Sequence, residues 1–325
     1  MNKTLLIALF SLVCCFCFGQ LPRMMYGDTT RVGAPFSKDP HVVKFNGRYL
    51  MYHSLPPQNW SQNSGWIIGI AESTDLINWV KVGEITPDPN AEYERKGLCA
   101  PGALVRDGQV HLFYRTYGNG KKDAICHAVS DDGIHFRRNP SNPIFSPVGD
   151  WTCGRAIDAE VYKFKDNYFL YFATRDPDYK IQMQGVAKAP LTTDFSKEDW
   201  IQATDKSILY PELPWEGECV EGASIIEKNG KLFMFYAGSY NNKPQQVGVA
   251  VSSDGINWER LWDQPFLANG KPGEWNSSES GHPHIFEDED GRTYLFYQGN
   301  NDMGKTWFIT NQEVVWIGGK PVLKD

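Results

Sequence analysis

Asp39-Pro-His-Val-Val-Lys-Phe45, then Asn46-Gly47, then Arg48-Tyr-Leu-Met-Tyr-His53: two short apolar runs flank the two-residue pair that most strongly favours a hairpin turn. Both central residues of such a turn need positive φ, which Asn-Gly and Asp-Gly supply. The pattern recurs. Ala100 to Val105 runs into Asp107-Gly108 and Gln109 to Arg115. Asp158 to Phe164 precedes Asp166-Asn167 and Tyr168 to Phe172. Glu221 to Ile226 precedes Asn229-Gly230 and Lys231 to Tyr236, and His282 to Phe286 precedes Asp290-Gly291 and Arg292 to Tyr297. The five starts lie 61, 58, 63 and 61 residues apart. Three of the repeats also show a third run and a polar turn ending in an aromatic, at Trp79, Phe136 and Trp258, which should open a fourth strand. A four-stranded antiparallel unit repeated at a fixed period is a propeller blade. The fold class is therefore all-β, a five-bladed β-propeller with four antiparallel strands per blade.

Composition agrees. The 325 residues include 11 Trp, 15 Tyr, 18 Phe, 30 Gly and 20 Pro, the material of short strands and tight turns. Thirty-two basic against 39 acidic residues give a net charge of −7, and no Lys/Arg run exceeds two, which argues against a nucleic-acid partner. Lys3 followed by the apolar run Leu5 to Phe18 reads as a cleaved export signal over residues 1–19, too short to span a membrane. The expectation is a single propeller domain over 20–325, secreted or periplasmic, with an open oligomeric state. Cys99, Cys126, Cys153 and Cys219 remain after cleavage; three complete pairings, or four free thiols, are open.

In a propeller, the start of strand 1, the loop between strands 2 and 3, and the inter-blade segments share one face. The strand-1 starts read Asp39, Ala100, Asp158, Glu221 and His282. Three carboxylates at equivalent slots of one channel mouth are costly, and catalysis commonly explains such a cost. The interval from start to turn is seven residues in two blades and eight in three, a difference expected to be absorbed in the turns. A pair of carboxylates, one ionised to activate water and one protonated to release the leaving oxygen, performs glycoside hydrolysis. Asp158, on the blade adjacent to Glu221, should raise its pKa; Asp39, two blades away, should stay ionised. The strand 2–3 loops and inter-blade segments offer His53, Trp60, Arg115, Trp151, Arg155, Arg175, Trp215 and Gln298, with His282, as carbohydrate-binding residues. His41 and His284, two residues past a slot, should line the channel deeper down. No His/Cys spacing points to zinc.

The Asp-Pro of the first blade, the Ala100-Pro101 of the second, Ile157-Asp158 and Val220-Glu221-Gly222 resemble glycoside hydrolase family 43, with the spacing covering about residues 33 to 318. The resemblance implies Asp39 as general base, Glu221 as general acid and Asp158 as modulator of the acid. It implies inversion at the anomeric carbon; the expected substrate is a plant or algal oligo- or polysaccharide, with no required cofactor. His282 matches a channel histidine that in some members lies near a structural calcium. The chain departs from the family at Cys99, where Trp is common, and at Ala223, where Pro is frequent. Arg175-Asp176-Pro177 and Glu218-Cys219 imitate motifs of the retaining family 32, but at shifted positions. A phosphorolytic propeller would use Arg115, Arg155 and Arg175 for phosphate. A non-catalytic carbohydrate-binding propeller would keep the aromatics but need no carboxylate trio. The segments Leu55–Gly65 and Thr86–Gly97 are placed to wall off one end of the site and so favour exo action.

Overall fold

The computed structural model of the protein describes residues 23–58 and 65–324; the segment 1–19 expected to be an export signal and Trp60 lie outside the described residues. Five antiparallel sheets of four strands follow one another along the chain. Blade 1 is β1 (Lys38–Phe45), β2 (Arg48–Leu55), β3 (Ile67–Ser73) and β4 (Val80–Ile85). Blade 2 is β5 (Leu98–Arg106), β6 (Gln109–Thr116), β7 (Ile125–Ser130) and β8 (Arg137–Arg138). Blade 3 is β9 (Ile157–Phe164), β10 (Asn167–Arg175), β11 (Gln182–Pro190) and β12 (Ile201–Gln202). Blade 4 is β13 (Val220–Lys228), β14 (Lys231–Gly238), β15 (Gln246–Ser252) and β16 (Glu259–Arg260). Blade 5 is β17 (Glu279–Glu287), β18 (Thr293–Asn300), β19 (Phe308–Ile317) and β20 (Lys320–Leu323). Each innermost strand packs against its two counterparts, β1 touching both β5 and β17, so the ring closes.

The core is divided among the five blade interfaces. In β2, Leu50 and Tyr52 face blade 2, while Met51 joins Phe286 and Phe296 of blade 5. Strand side chains alternate between faces, and here both faces meet another blade, so the second strands read as unbroken apolar runs. The segment before β1 seals the junction of first and last blades. Tyr26 bridges Ile309, Phe36 bridges Trp307, and Met24 is buried in that interface. The polar turns after the third strands repeat one device: Ser73, Ser130 and Ser252 hydroxyls accept backbone N–H bonds, as do Asp75, Asp132 and Asp254. All four described cysteines are free thiols. No helix among the described residues is long and apolar enough to cross a membrane.

The Asn46-Gly47, Asp107-Gly108 and Asn229-Gly230 turns form as expected, with both φ angles positive. Two others move. In blade 3 Asn167 already pairs with Phe164, so the turn is Lys165-Asp166. In blade 5 the strands part at Glu287 and Thr293, leaving a five-residue loop.

Candidate active site

Every inner strand enters its blade through a β-bulge with one residue in the left-handed region: Asp39, Ala100, Asp158, Gly222 and His282, with φ of +52°, +48°, +55°, +58° and +46°. The strand pairings set the register independently. Lys38, Cys99, Ile157, Glu221 and Gly281 are the last paired residues before each bulge. The expected fivefold slot therefore holds for Asp39, Ala100, Asp158 and His282, and is corrected at blade 4. Glu221 stands one residue earlier, level with Lys38, and glycine takes the bulge. Part of the irregular start-to-turn interval thus lies at the strand entrance. A bulge breaks the alternation of side chains, and Glu221 still meets the charges of Asp158 and His282.

Asp39, Asp158 and Glu221 are 8, 7 and 8% exposed, a narrow strip of surface open to the channel mouth. His282 stands between the two aspartates, its Nε2 3.6 Å from Asp39 Oδ1 and 3.8 Å from Asp158 Oδ1. Burial alone would favour the neutral ring, but Asp39 and then Asp158 outweigh it and raise the His282 pKa to about 9. The cation acts back on Asp39. Burial pushes that carboxyl up, yet His282, Lys38 and the Ser54 hydroxyl hold it below the usual carboxylate value. Glu221 moves the other way, raised first by burial and second by Asp158. Two carboxyls at one mouth thus differ in proton affinity in the sense that acid–base chemistry requires. Calcium suits this spot poorly, since it takes six to eight oxygens and the imidazole between the aspartates already carries positive charge.

The sequence reading missed the partners of Glu221. Gln182, the first residue of β11, donates to Glu221 Oε2, and Gln245 donates to Oε1 at 2.7 Å. Gln182 also accepts from Arg155 Nη1 at 3.1 Å and Arg175 Nε at 3.0 Å. The two arginines therefore reach the acid through one amide. Arg115 donates to Cys99 Sγ at 3.1 Å, and its charge acts on both Asp39 and Arg155. Tyr179 and Tyr240 lie against Arg175, with 4.5 and 5.2 Å from its guanidinium carbon to the ring centroids. The available signal was topological, because both glutamines sit where a third strand begins, on the face already assigned to the funnel.

Of the residues expected to meet carbohydrate, two are fully buried and two are half-exposed indoles packed on the blades. His53 lies within β2, fully buried, its ring 5.3 Å from Tyr26 and packed over Gly69. Gln298 is fully buried in β18 and accepts the Asp39 backbone N–H at 2.8 Å, so it supports the bulge from behind. Trp151 packs against Phe172 and Gly185, and Trp215 stacks on Tyr236 over Gly238 and Gly248. Each indole fills the space that a glycine leaves, which is packing work.

The profile of glycosyl hydrolases family 43 matches residues 30–317. The chain belongs to that family. A 1,2-beta-oligomannan phosphorylase of Thermoanaerobacter is 27% identical over 72% of this chain and 74% of its own length. Alpha-L-arabinofuranosidase 43 of Humicola insolens is 23% identical over 78% of this chain and 52% of its own length. Among solved structures, a thermostable family-43 glycoside hydrolase superposes with a TM-score of 0.70 at 20% identity, over 92% of this chain and 96% of that one. Membership of family 43 supports a glycoside hydrolase that acts on a carbohydrate.

Proposed function

We propose that this family 43 enzyme is an exported, inverting glycosidase in which Asp39 is the general base, Glu221 the general acid and Asp158 the group that raises the acid's pKa. The observation that carries the reading is the placement of three carboxyls at one mouth, with the His282 ring between Asp39 and Asp158 and two glutamine amides on Glu221, an arrangement that favours an ionised Asp39 and a protonated Glu221. Ionised Asp39 takes a proton from water as it attacks the anomeric carbon, while protonated Glu221 delivers one to the leaving oxygen. Gln182 and Gln245 fix the Glu221 carboxyl, and Gln182 ties it to Arg155 and Arg175. Tyr179 and Tyr240 offer ring faces and Arg115 a cation to the sugar.

Arabinofuranosides, xylosides and galactosides of plant or algal origin are the substrate classes we favour, in line with the arabinofuranosidase relative. Exo action rests on the expected placement of the segments 55–65 and 86–97; residues 59–64 lie outside the described residues, and the end of the first segment bonds to the second through Gly65 N–H to Lys96 O at 2.8 Å. Export rests on the Lys3 and Leu5–Phe18 pattern.

Phosphorolysis is the second reading, favoured by Arg115, Arg155 and Arg175 and by the phosphorylase relative. An ionised Asp39 at the base position repels an incoming phosphate, which weighs for water as the acceptor. Incubating the purified protein with aryl arabinofuranosides, xylosides and galactosides and with β-1,2-mannobiose, each with and without phosphate, tests both. Phosphate-independent release of free sugar supports hydrolysis; a glycosyl phosphate as product overturns it.

A further inference from the structure

One layer below the mouth, the first paired positions past the bulges carry His41, Gly102, Glu160, Ser224 and His284. His41 and His284 lie face to face with ring centroids 3.8 Å apart. Each places Nε2 against a backbone carbonyl: His41 at 2.7 Å from Ala103 O, His284 at 3.0 Å from Val42 O. A carbonyl only accepts, so both Nε2 atoms carry the proton and both Nδ1 atoms present a lone pair. His41 Nδ1 is 3.6 Å from Glu160 Oε2. Glu160 Oε1 is engaged by the Ile225 N–H at 2.9 Å and the Ser224 hydroxyl at 3.3 Å, which leaves Oε2 for the histidines.

Two imidazole lone pairs and a carboxyl oxygen lie within 4.8 Å of one another. The Ser224 hydroxyl, 3.2 Å from His284 Nδ1 and 3.3 Å from Glu160 Oε1, has one proton to divide between them, so a cation or a proton on Glu160 must relieve the remaining repulsion. The outer contacts match what holds metal-binding residues, namely histidines whose other nitrogen donates to a carbonyl and a carboxylate hydrogen-bonded on its second oxygen. We propose that His41 Nδ1, Glu160 Oε2 and His284 Nδ1 bind a divalent ion of the zinc class in the channel, beneath the catalytic layer. Two nitrogens and one carboxylate suit zinc, whereas calcium and magnesium want oxygen throughout. Bonds of roughly 2.0–2.2 Å put tetrahedral ligands about 3.4 Å apart. The widest pair must then close by up to about 1.4 Å, shared between two side chains. The three ligands come from blades 1, 3 and 5, which explains why no local spacing announced them.

The test uses the whole protein, dialysed against chelator and titrated with zinc by calorimetry, and with cobalt followed by visible absorption. One equivalent should bind, with the intense absorption of four-coordinate cobalt. Glu160→Gln, which keeps the acceptor for the Ile225 N–H, should weaken zinc binding by about 100-fold or more, and His282→Ala should leave it unchanged. Absence of stoichiometric binding, or equal binding by Glu160→Gln, overturns the proposal, as does loss of the site in His282→Ala alone. Should Glu160→Gln fail to fold, the wild-type cobalt spectrum decides, and a pale six-coordinate spectrum counts against the site.

Discussion

At β9 the carboxylate, Asp158, occupies the left-handed bulge; at β13 the bulge is Gly222 and the carboxylate, Glu221, stands one residue earlier. Both lie at the same mouth, yet their surroundings differ. Asp158 faces the His282 cation, as Asp39 does, whereas Glu221 receives two glutamine amides and the field of Asp158. A proton donor cannot share to the same degree the cation that holds Asp39 ionised. The one-residue offset separates the acid from the pseudo-symmetric pair, and glycine makes room for it, since a Cβ at 222 would stand 3.3 Å from the His282 ring.

The largest test of that difference removes each carboxyl in turn. Glu221→Gln and Asp39→Asn should each lower kcat by ~10²–10⁴-fold. The loss in Glu221→Gln should shrink on aryl glycosides with acidic leaving groups, which need little protonation, and the loss in Asp39→Asn should not. Steady-state rates across a leaving-group series separate the two, and identical slopes for both variants would mean the roles are misassigned.

Smaller effects sharpen the comparison through pH. Glu221 must be protonated to act, so its pKa sets the basic limb of the kcat/KM profile. Asp158 raises that pKa, and Asp158→Asn should move the basic limb to lower pH. Gln245 lowers it by donating to the ionised form, so Gln245→Ala should move the same limb upward, with a loss of roughly tenfold in rate from a less firmly held carboxyl. Shifts in the same direction for the two variants would contradict the electrostatic account. The mildest change is Gly222→Ala, which forces a Cβ into left-handed backbone beside His282. It should cost ~1–2 kcal/mol of stability by denaturant unfolding, with activity reduced far less than in the carboxyl variants.

Much of this was legible in the chain. Asn46-Gly47, Asp107-Gly108 and Asn229-Gly230 marked the hairpins, and the repeat period supplied the ring, because turn chemistry and strand alternation are local properties. Asp39, Asp158 and Glu221 could be brought to one mouth from the sequence because topology converges strand starts on one face. The offset at Glu221 was hidden because a bulge residue and the residue before it look alike in sequence; only the pairing of Glu221 with Ala237 fixes the register. His53 and Gln298 lie buried instead of lining the funnel, and Trp151 and Trp215 pack over glycines while staying half-exposed, for a related reason. A polar or aromatic residue at a strand end can face the funnel or fill a blade interface, and the deciding neighbours, Gly69, Gly185, Gly238 and the Asp39 backbone, are remote in sequence or carry no side chain of their own. Gln182 escaped because its importance lies in three partners, Arg155, Arg175 and Glu221, drawn from separate strands and loops.

The pairing of Asp39 with Glu221, rather than Asp158 with Glu221, is tested most directly by the anomer formed first. Opposed carboxyls about 6.5–9.5 Å apart admit a water and invert, whereas a pair roughly 5–5.5 Å apart retains through a covalent intermediate. Proton NMR of an aryl glycoside that the enzyme cleaves, recorded before mutarotation, should show the product of opposite configuration appearing first. First appearance of the substrate's own configuration would contradict the assignment and make Asp158 the nucleophile.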